Sequence, residues 1–312
     1  MRIRSVKECN FDDVQARSEA LIVACGYEHR SQGITRIIKR LPEDRHALCF
    51  REHATDLARP DNENFFRERK FALHNVGTED PDEIQKITQA ALLRSATLNR
   101  AVAFDISTMT RSWHGAIVRQ LRSAQIPSEV ETFFAYAPSV FTPPRVGQIV
   151  NEFVSPVRGF ASLSTPDKPV AAIIGLGYEK DGALGLQQLL DPALTIVVVP
   201  NDGDQDPFYP LVRKNNRELL ERTSQDWIFE YSISQPASTF GMLASIIGGV
   251  RQSYRIVLAS LGPKIFGLVC FLLATKFKDV SVWRISSGVH GLPRDSEPDL
   301  TRAVVLDVVW EP

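Results

Sequence analysis

The chain has 312 residues, 44% of them hydrophobic, and a formal net charge of -1. That size suits one large or two medium globular domains, and near-neutrality argues against a protein whose main work is gripping duplex nucleic acid through its phosphates. No apolar run is long enough to span a bilayer; the longest, residues 265–274, reads as a buried helix, so no membrane partner is expected.

The opening MRIRSVKECNFDD has no apolar signal-peptide core, which predicts a cytoplasmic protein. Cys9, Cys25, Cys49 and Cys270 form no CxxC pair, and three of them sit beside apolar residues. Reduced, structural cysteines are expected. A buried strand at 19–24 leads to a helix at about 32–40, a strand at 46–50, a polar helix around 62–71 and a short strand at 72–76. Asp80 and Pro81 fit the N-cap and first position of the next helix. The strand RAVAFDIS, residues 100–107, then breaks at a Ser/Thr-rich turn into a helix at 112–123, and a strand at 128–137 follows.

The same order recurs. VAAIIG is a strand, a helix starts at Gly182, LTIVVVP is a strand, and Asp206-Pro207 opens a helix running to Glu221. The strand DWIFEYSI, a helix at 239–251, a strand at 254–260, a helix at 264–276 and the strand DVSVWRIS complete the series. The Gly-Tyr-Glu triplets at Gly26 and Gly177 lie about 151 positions apart, and Gly115 and Gly267 in the late helices about 152. An internal duplication is the reading: two tandem Rossmann-like α/β units with mainly parallel sheets, at 1–159 and 160–312, joined through a linker at 160–169. Each is expected to close with an extra strand, at 147–157 and 302–312.

In such sheets ligands bind at the carboxyl ends of the strands, where strand order reverses. Four strand–helix loops fall there. The first pair holds Gly26, Tyr27, Glu28 and Arg30, and Gly177, Tyr178, Glu179 and Lys180. Glycines let backbone approach a ligand, Tyr can stack on a base, and Glu can accept from a base amine or ribose hydroxyl. The same glycines also serve a plain turn. The late pair holds Ser107, Thr108, Thr110 and Arg111, and Ser260, Gly262 and Lys264. Hydroxyls followed by a cation make a phosphate cradle, although Ser and Thr equally cap helices. Trp113 is expected in the core, and His114 fits a surface or a site position equally. Asp202, Asp204 and Asp206 alternate but fail the calcium-loop pattern, so they read as a solvated loop. Arg213, Lys214 and Arg217 read as a solvated helix face. There is no GxGxxG, Walker, HExxH or GxSxG motif, and no metal or cofactor is expected.

The turn Ser260-Leu261-Gly262-Pro263-Lys264, after YRIVLA, resembles the GGTK-like signature that follows the fourth strand of CRISPR-associated Rossmann-like sensor (CARF) domains, departing from it at Leu261 and Pro263. Asp105 to Arg111 resembles it less closely. CARF domains pair these loops around a cyclic oligonucleotide, and SAVED domains of bacterial antiphage signalling resemble two such units in one chain. The resemblance implies a sensor of a nucleotide second messenger acting with a separate effector protein. Two alternatives stand beside it: a metal-independent ring-nuclease-type enzyme using Arg111, His114 or Lys264 in the same groove, or a non-catalytic scaffold with a surface drawn from Phe133, Phe134, Tyr136, Phe208 and Tyr209, most of which are expected in the core.

Overall fold

A computed structural model of the chain describes residues 1–142, 153–162, 167–203, 206–286 and 294–312. It is an α/β protein with two sheets of mostly parallel strands alternating with helices. The chain divides into two compact units, Met1–Val140 with Leu292–Pro312, and Phe141–Gly291.

In the first unit, β1 (Arg2–Cys9) and α1 (Phe11–Arg17) precede the elements expected from periodicity. Alternating charges hid β1, whose residues are partly exposed along an edge. Asn10 and Asp13 form a reciprocal capping box that starts α1. There follow β2 (Ser18–Cys25), α2 (Gly33–Ile37), β3 (Asp44–Phe50), α3 (Arg59–Glu68), β4 (Ala72–Val76), α4 (Pro81–Thr97), β5 (Ala101–Asp105), α5 (Arg111–Ser123) and β6 (Val130–Tyr136). The helix expected at 32–40 is shorter: a 3-10 turn at His29–Gln32 leads into α2, which ends where Ile38 turns extended. Asp80 and Pro81 stand where expected at the start of α4, though the Asp80 side chain makes no capping bond.

The second unit contains β7 (Phe153–Pro156), β8 (Val170–Gly175), α6 (Gly182–Leu190), β9 (Leu194–Pro200), α7 (Tyr209–Asn215), α8 (Arg217–Arg222), β10 (Ile228–Tyr231), α9 (Pro236–Val250), β11 (Arg255–Ser260), α10 (Lys264–Lys276) and β12 (Val280–Ser286). The single helix expected from Asp206 to Glu221 is two, broken at Asn216. Residues 147–152 of one expected closing strand, 163–166 of the expected linker, and Asp204 lie outside the described residues.

The other closing strand, β13 (Val304–Glu311), runs antiparallel to β6 and to β1 in the first sheet. The expected boundary at 159/160 is therefore not where the chain divides. An apolar run such as VVLDVVWE specifies a buried strand but not its sheet. The first sheet runs β1-β13-β6-β5-β2-β3-β4 and the second β10-β9-β8-β11-β12-β7. Numbered within its own unit, each parallel set has the order 3-2-1-4-5, with antiparallel strands only beyond the fifth. The order reverses between β2 and β5 in one unit and between β8 and β11 in the other.

The central parallel strands are apolar on both faces because helices cover both, while the edge strands β4 and β10 are only partly buried. Leu21, Ile22, Val23 and Ala24 are buried in succession along β2, as are Ala171 to Ile174 along β8. Helix α10 is buried from Ile265 to Thr275 and packs on β11, β12 and α9. No helix among the described residues is long and apolar enough to cross a membrane.

Candidate functional site

At the reversal point of the first unit the hydroxyls are committed to the fold. Gly26 N donates to Ser31 Oγ (3.1 Å), which donates to Thr108 Oγ1 (3.1 Å), which donates to the Ala24 carbonyl (3.4 Å). Ser107 Oγ accepts from Ala137 N (2.9 Å), and Ser107 N donates to Asp105 Oδ1 (2.9 Å). Thr110 caps α5 by accepting from Trp113 N (3.2 Å). These are the capping and turn roles open to the same residue types. Arg111 is half-buried at the first position of α5. Trp113 is core, stacked on Phe50 at 4.2 Å with Nε1 donating to the Gly77 carbonyl. His114 is also core rather than surface: it is buried, with Nε2 3.4 Å from the Ile106 carbonyl. An amphipathic count alone misplaces it because α5 is covered around most of its circumference.

The Gly-Tyr-Glu loop of this unit is equally tied down. Tyr27 packs edge-on against His53, and its phenol is pushed up to about 12, by burial first and then by Glu28. Glu28 pairs with the buried Arg30 at 3.1 Å. Burial opposes the Arg30 charge, but Glu28, Tyr136 and Asp105 together hold its pKa above the usual value. The segment before β13 lies over this loop. Ser296 Oγ donates to Glu28 Oε2, Arg30 N donates to the Ser296 carbonyl (2.9 Å), and Asp295 accepts from both His29 N (2.8 Å) and His29 Nδ1 (2.6 Å). Burial opposes the Asp295 charge, yet these bonds hold its carboxyl below the usual range.

The second unit is built differently at its reversal point. Gly177 and Gly262 bring the two loops into backbone contact: a Cβ on Gly177 would meet the Leu261 carbonyl oxygen at 2.3 Å, and one on Gly262 the Leu176 oxygen at 2.2 Å. Only glycine permits that approach. Leu261 N donates to the Gly175 carbonyl (2.9 Å), fastening the late loop across the carboxyl edge of β8. Helices α6 and α10 both start at this edge, and neither receives a side-chain cap. Asp181, ahead of α6, is left-handed (φ 62°), and Lys180 and Glu179 are exposed beside it. Tyr178 is half-buried against Phe208. Lys264, half-exposed, is the first residue of α10. Ser260, the last residue of β11, is 3% exposed, and its Oγ has no hydrogen-bond partner among the described residues. Its neighbour Ala259 packs in the core beneath α6, so strand alternation turns Ser260 to the α10 side.

An asparagine in each unit escapes the sequence reading. Asn62 Nδ2 donates to the Gly26 and Glu28 carbonyls, both at 2.8 Å. Asn216 Nδ2 donates to the Gly177 and Val212 carbonyls, both at 2.8 Å, and Asn215 Nδ2 reaches the Tyr178 carbonyl. The available signal is an Asn three residues before two large apolar residues, Phe65-Phe66 in one unit and Leu219-Leu220 in the other, all four buried.

The remaining candidates resolve as structure. Phe133, Phe134 and Tyr136 are core, while Phe208 and Tyr209 are half-buried. Asp202 accepts from Ser232 Oγ and Ile233 N, and Asp206 from Phe208 N. Among the described residues no three His, Cys, Asp or Glu side chains form a group able to hold a metal. Arg213, Lys214 and Arg217 are exposed, with Arg213 beside Glu230 and Arg217 beside Glu221. No protein-family model matches the chain, and no curated protein matches it.

Proposed function

We propose that this protein binds a nucleotide second messenger, with the second unit's reversal point taking the ligand's phosphate. The observation that carries this reading is the Ser260 hydroxyl, buried without a hydrogen-bond partner among the described residues where β11 ends and α10 begins. A buried hydroxyl of that kind calls for an acceptor, and none of the described residues supplies it. Two helix N-termini without side-chain caps, the joined Gly177 and Gly262 backbones and the Lys264 ammonium favour an anion there. Tyr178, Glu179 and Lys180 border the same edge and supply an aromatic face, an acceptor and a cation for the rest of a nucleotide. In the first unit the matching hydroxyls bond each other and the backbone, which favours a structural role for Ser107, Thr108 and Thr110.

The likeness of the Ser260-to-Lys264 turn to the CARF signature supports a cyclic oligonucleotide as the messenger. On that reading the protein is a cytoplasmic sensor in bacterial antiviral defence that signals through a separate effector protein. The common strand order and the two asparagines on the Gly-Tyr-Glu carbonyls support an origin by internal duplication.

The test is incubation of purified protein with a panel of linear and cyclic oligonucleotides, followed by mass spectrometry of what it retains. An intact bound oligonucleotide is the expected result. A cleaved product replaces the sensor by an enzyme, and a protein that retains nothing from the panel ends the reading.

A further inference from the structure

Cys25 and Cys49 stand at the carboxyl ends of neighbouring parallel strands and are register partners. Register partners point to the same face, and both side chains belong to one core cluster. Adjacent strands run about 4.8 Å apart, within the roughly 4.4–6.8 Å Cα separation that a disulfide requires. Helix α3 crosses this spot. It supplies Arg59, whose side chain is 1% exposed and pairs with Glu63 Oε2 at 2.6 Å. Asn62 of the same helix holds the Gly26 carbonyl, one residue beyond Cys25.

We infer that Cys25 and Cys49 form a reversible disulfide when the protein meets a peroxide. The roles of the two sulfurs differ. The Cys25 thiol hydrogen-bonds Cys49, and with the Arg59 charge this lowers the Cys49 pKa against the opposing effect of burial. The same hydrogen bond, together with burial, pushes Cys25 up. Both sulfurs are buried, Cys25 at 0% and Cys49 at 1% exposure, so peroxide reaches them through local opening at the strand ends, and Cys49, with Arg59 beside it, is the sulfur that attacks. Its sulfur takes the distal oxygen of hydrogen peroxide as the O–O bond breaks, and the departing hydroxide picks up the proton Cys49 gave up, leaving as water. Cys25 then attacks the Cys49 sulfenic sulfur. The S–O bond breaks, and the hydroxide leaves with the Cys25 proton as a second water. Two thiols are oxidised by two electrons, and one peroxide is reduced to two waters. Cys9 is the poorer nucleophile, because burial and then the Asp307 charge push its thiol up to about 12. Cys270 lies in α10 of the second unit.

The experiment exposes the folded chain to hydrogen peroxide, quenches with catalase, unfolds it and alkylates the remaining thiols for mass spectrometry. The expected result is a chain two hydrogens lighter, with Cys9 and Cys270 alkylated and the Cys25 and Cys49 peptides linked until a reductant is added. A chain carrying Cys9→Ser and Cys270→Ser keeps the pair and should lose the same two hydrogens. In Cys25→Ser, dimedone should trap Cys49 as its sulfenic acid. Alkylation at all four cysteines after peroxide, or oxidation confined to Cys9 or Cys270, overturns the inference.

Discussion

Gly177 and Gly262 owe their identity to each other. Each faces the other loop's backbone, so a methyl group on either pushes against a carbonyl oxygen that has no rotamer to escape into. Gly177→Ala or Gly262→Ala should cost about 1–3 kcal/mol through overpacking, read as a lower midpoint in denaturant unfolding. Asn216→Ala strands the buried Gly177 carbonyl and should cost about 1–3 kcal/mol by the same measurement. An unchanged midpoint in either case removes the role given to that residue. At this scale the sequence was half legible. The doubled Gly-Tyr-Glu falls on the first strand–helix loop of each unit, at the edge where strand order reverses. Whether Ser107, Thr108 and Ser260 cap, brace or bind was not legible. Residue type is the same for all three roles, and only the partner, Ala137 N for Ser107 and none among the described residues for Ser260, separates them.

The elements followed periodicity closely where one face or both were apolar. β8, β9 and α10 stand where the pattern places them, since burial enforces the period. It failed where polar groups set the geometry: at β1, whose charges mask a strand, and at Asn216, whose side chain breaks one helix into α7 and α8 to reach Gly177. The β3–β4 edge carries a testable pH dependence. His46 Nδ1 and His74 Nε2 lie 3.0 Å apart, and Asp44 sits 3.0 Å from His46 Nε2. Burial first, then the His46 charge, lowers the His74 pKa below 6.5, while Glu83 and Asp44 oppose the shift. A lowered pKa means the unfolded chain takes up this proton first. Stability from His74 is complete above pH 6.5 and falls as pH drops through the folded value. His74→Gln should flatten that part of the stability-against-pH curve; an unaltered slope contradicts the assignment.

For the whole molecule, the alternation of strands and helices gave the class and the two sheets, but not the path of the chain between them. The missing step is β13, which follows the second unit in the chain but lies between β1 and β6 in the first sheet. One trace of it exists in the sequence. Asp307 is an acid within an apolar strand, and it is buried with Lys7 of β1 at 3.3 Å and Arg17 of α1 at 3.5 Å. An acid in an apolar run needs basic neighbours, and those lie near the amino terminus. The two units thus share a strand order while differing at their reversal points, one bonded within itself beneath residues 295–299 and the other with a buried hydroxyl that no described residue answers. The measurement that tests this contrast most directly is equilibrium binding of the oligonucleotide retained from the panel, compared across Lys264→Ala and Arg111→Ala. Lys264→Ala should lose at least about tenfold in affinity, about 1.4 kcal/mol, and Arg111→Ala should bind as the wild type does. Loss of binding in Arg111→Ala with Lys264→Ala unaffected would contradict that contrast.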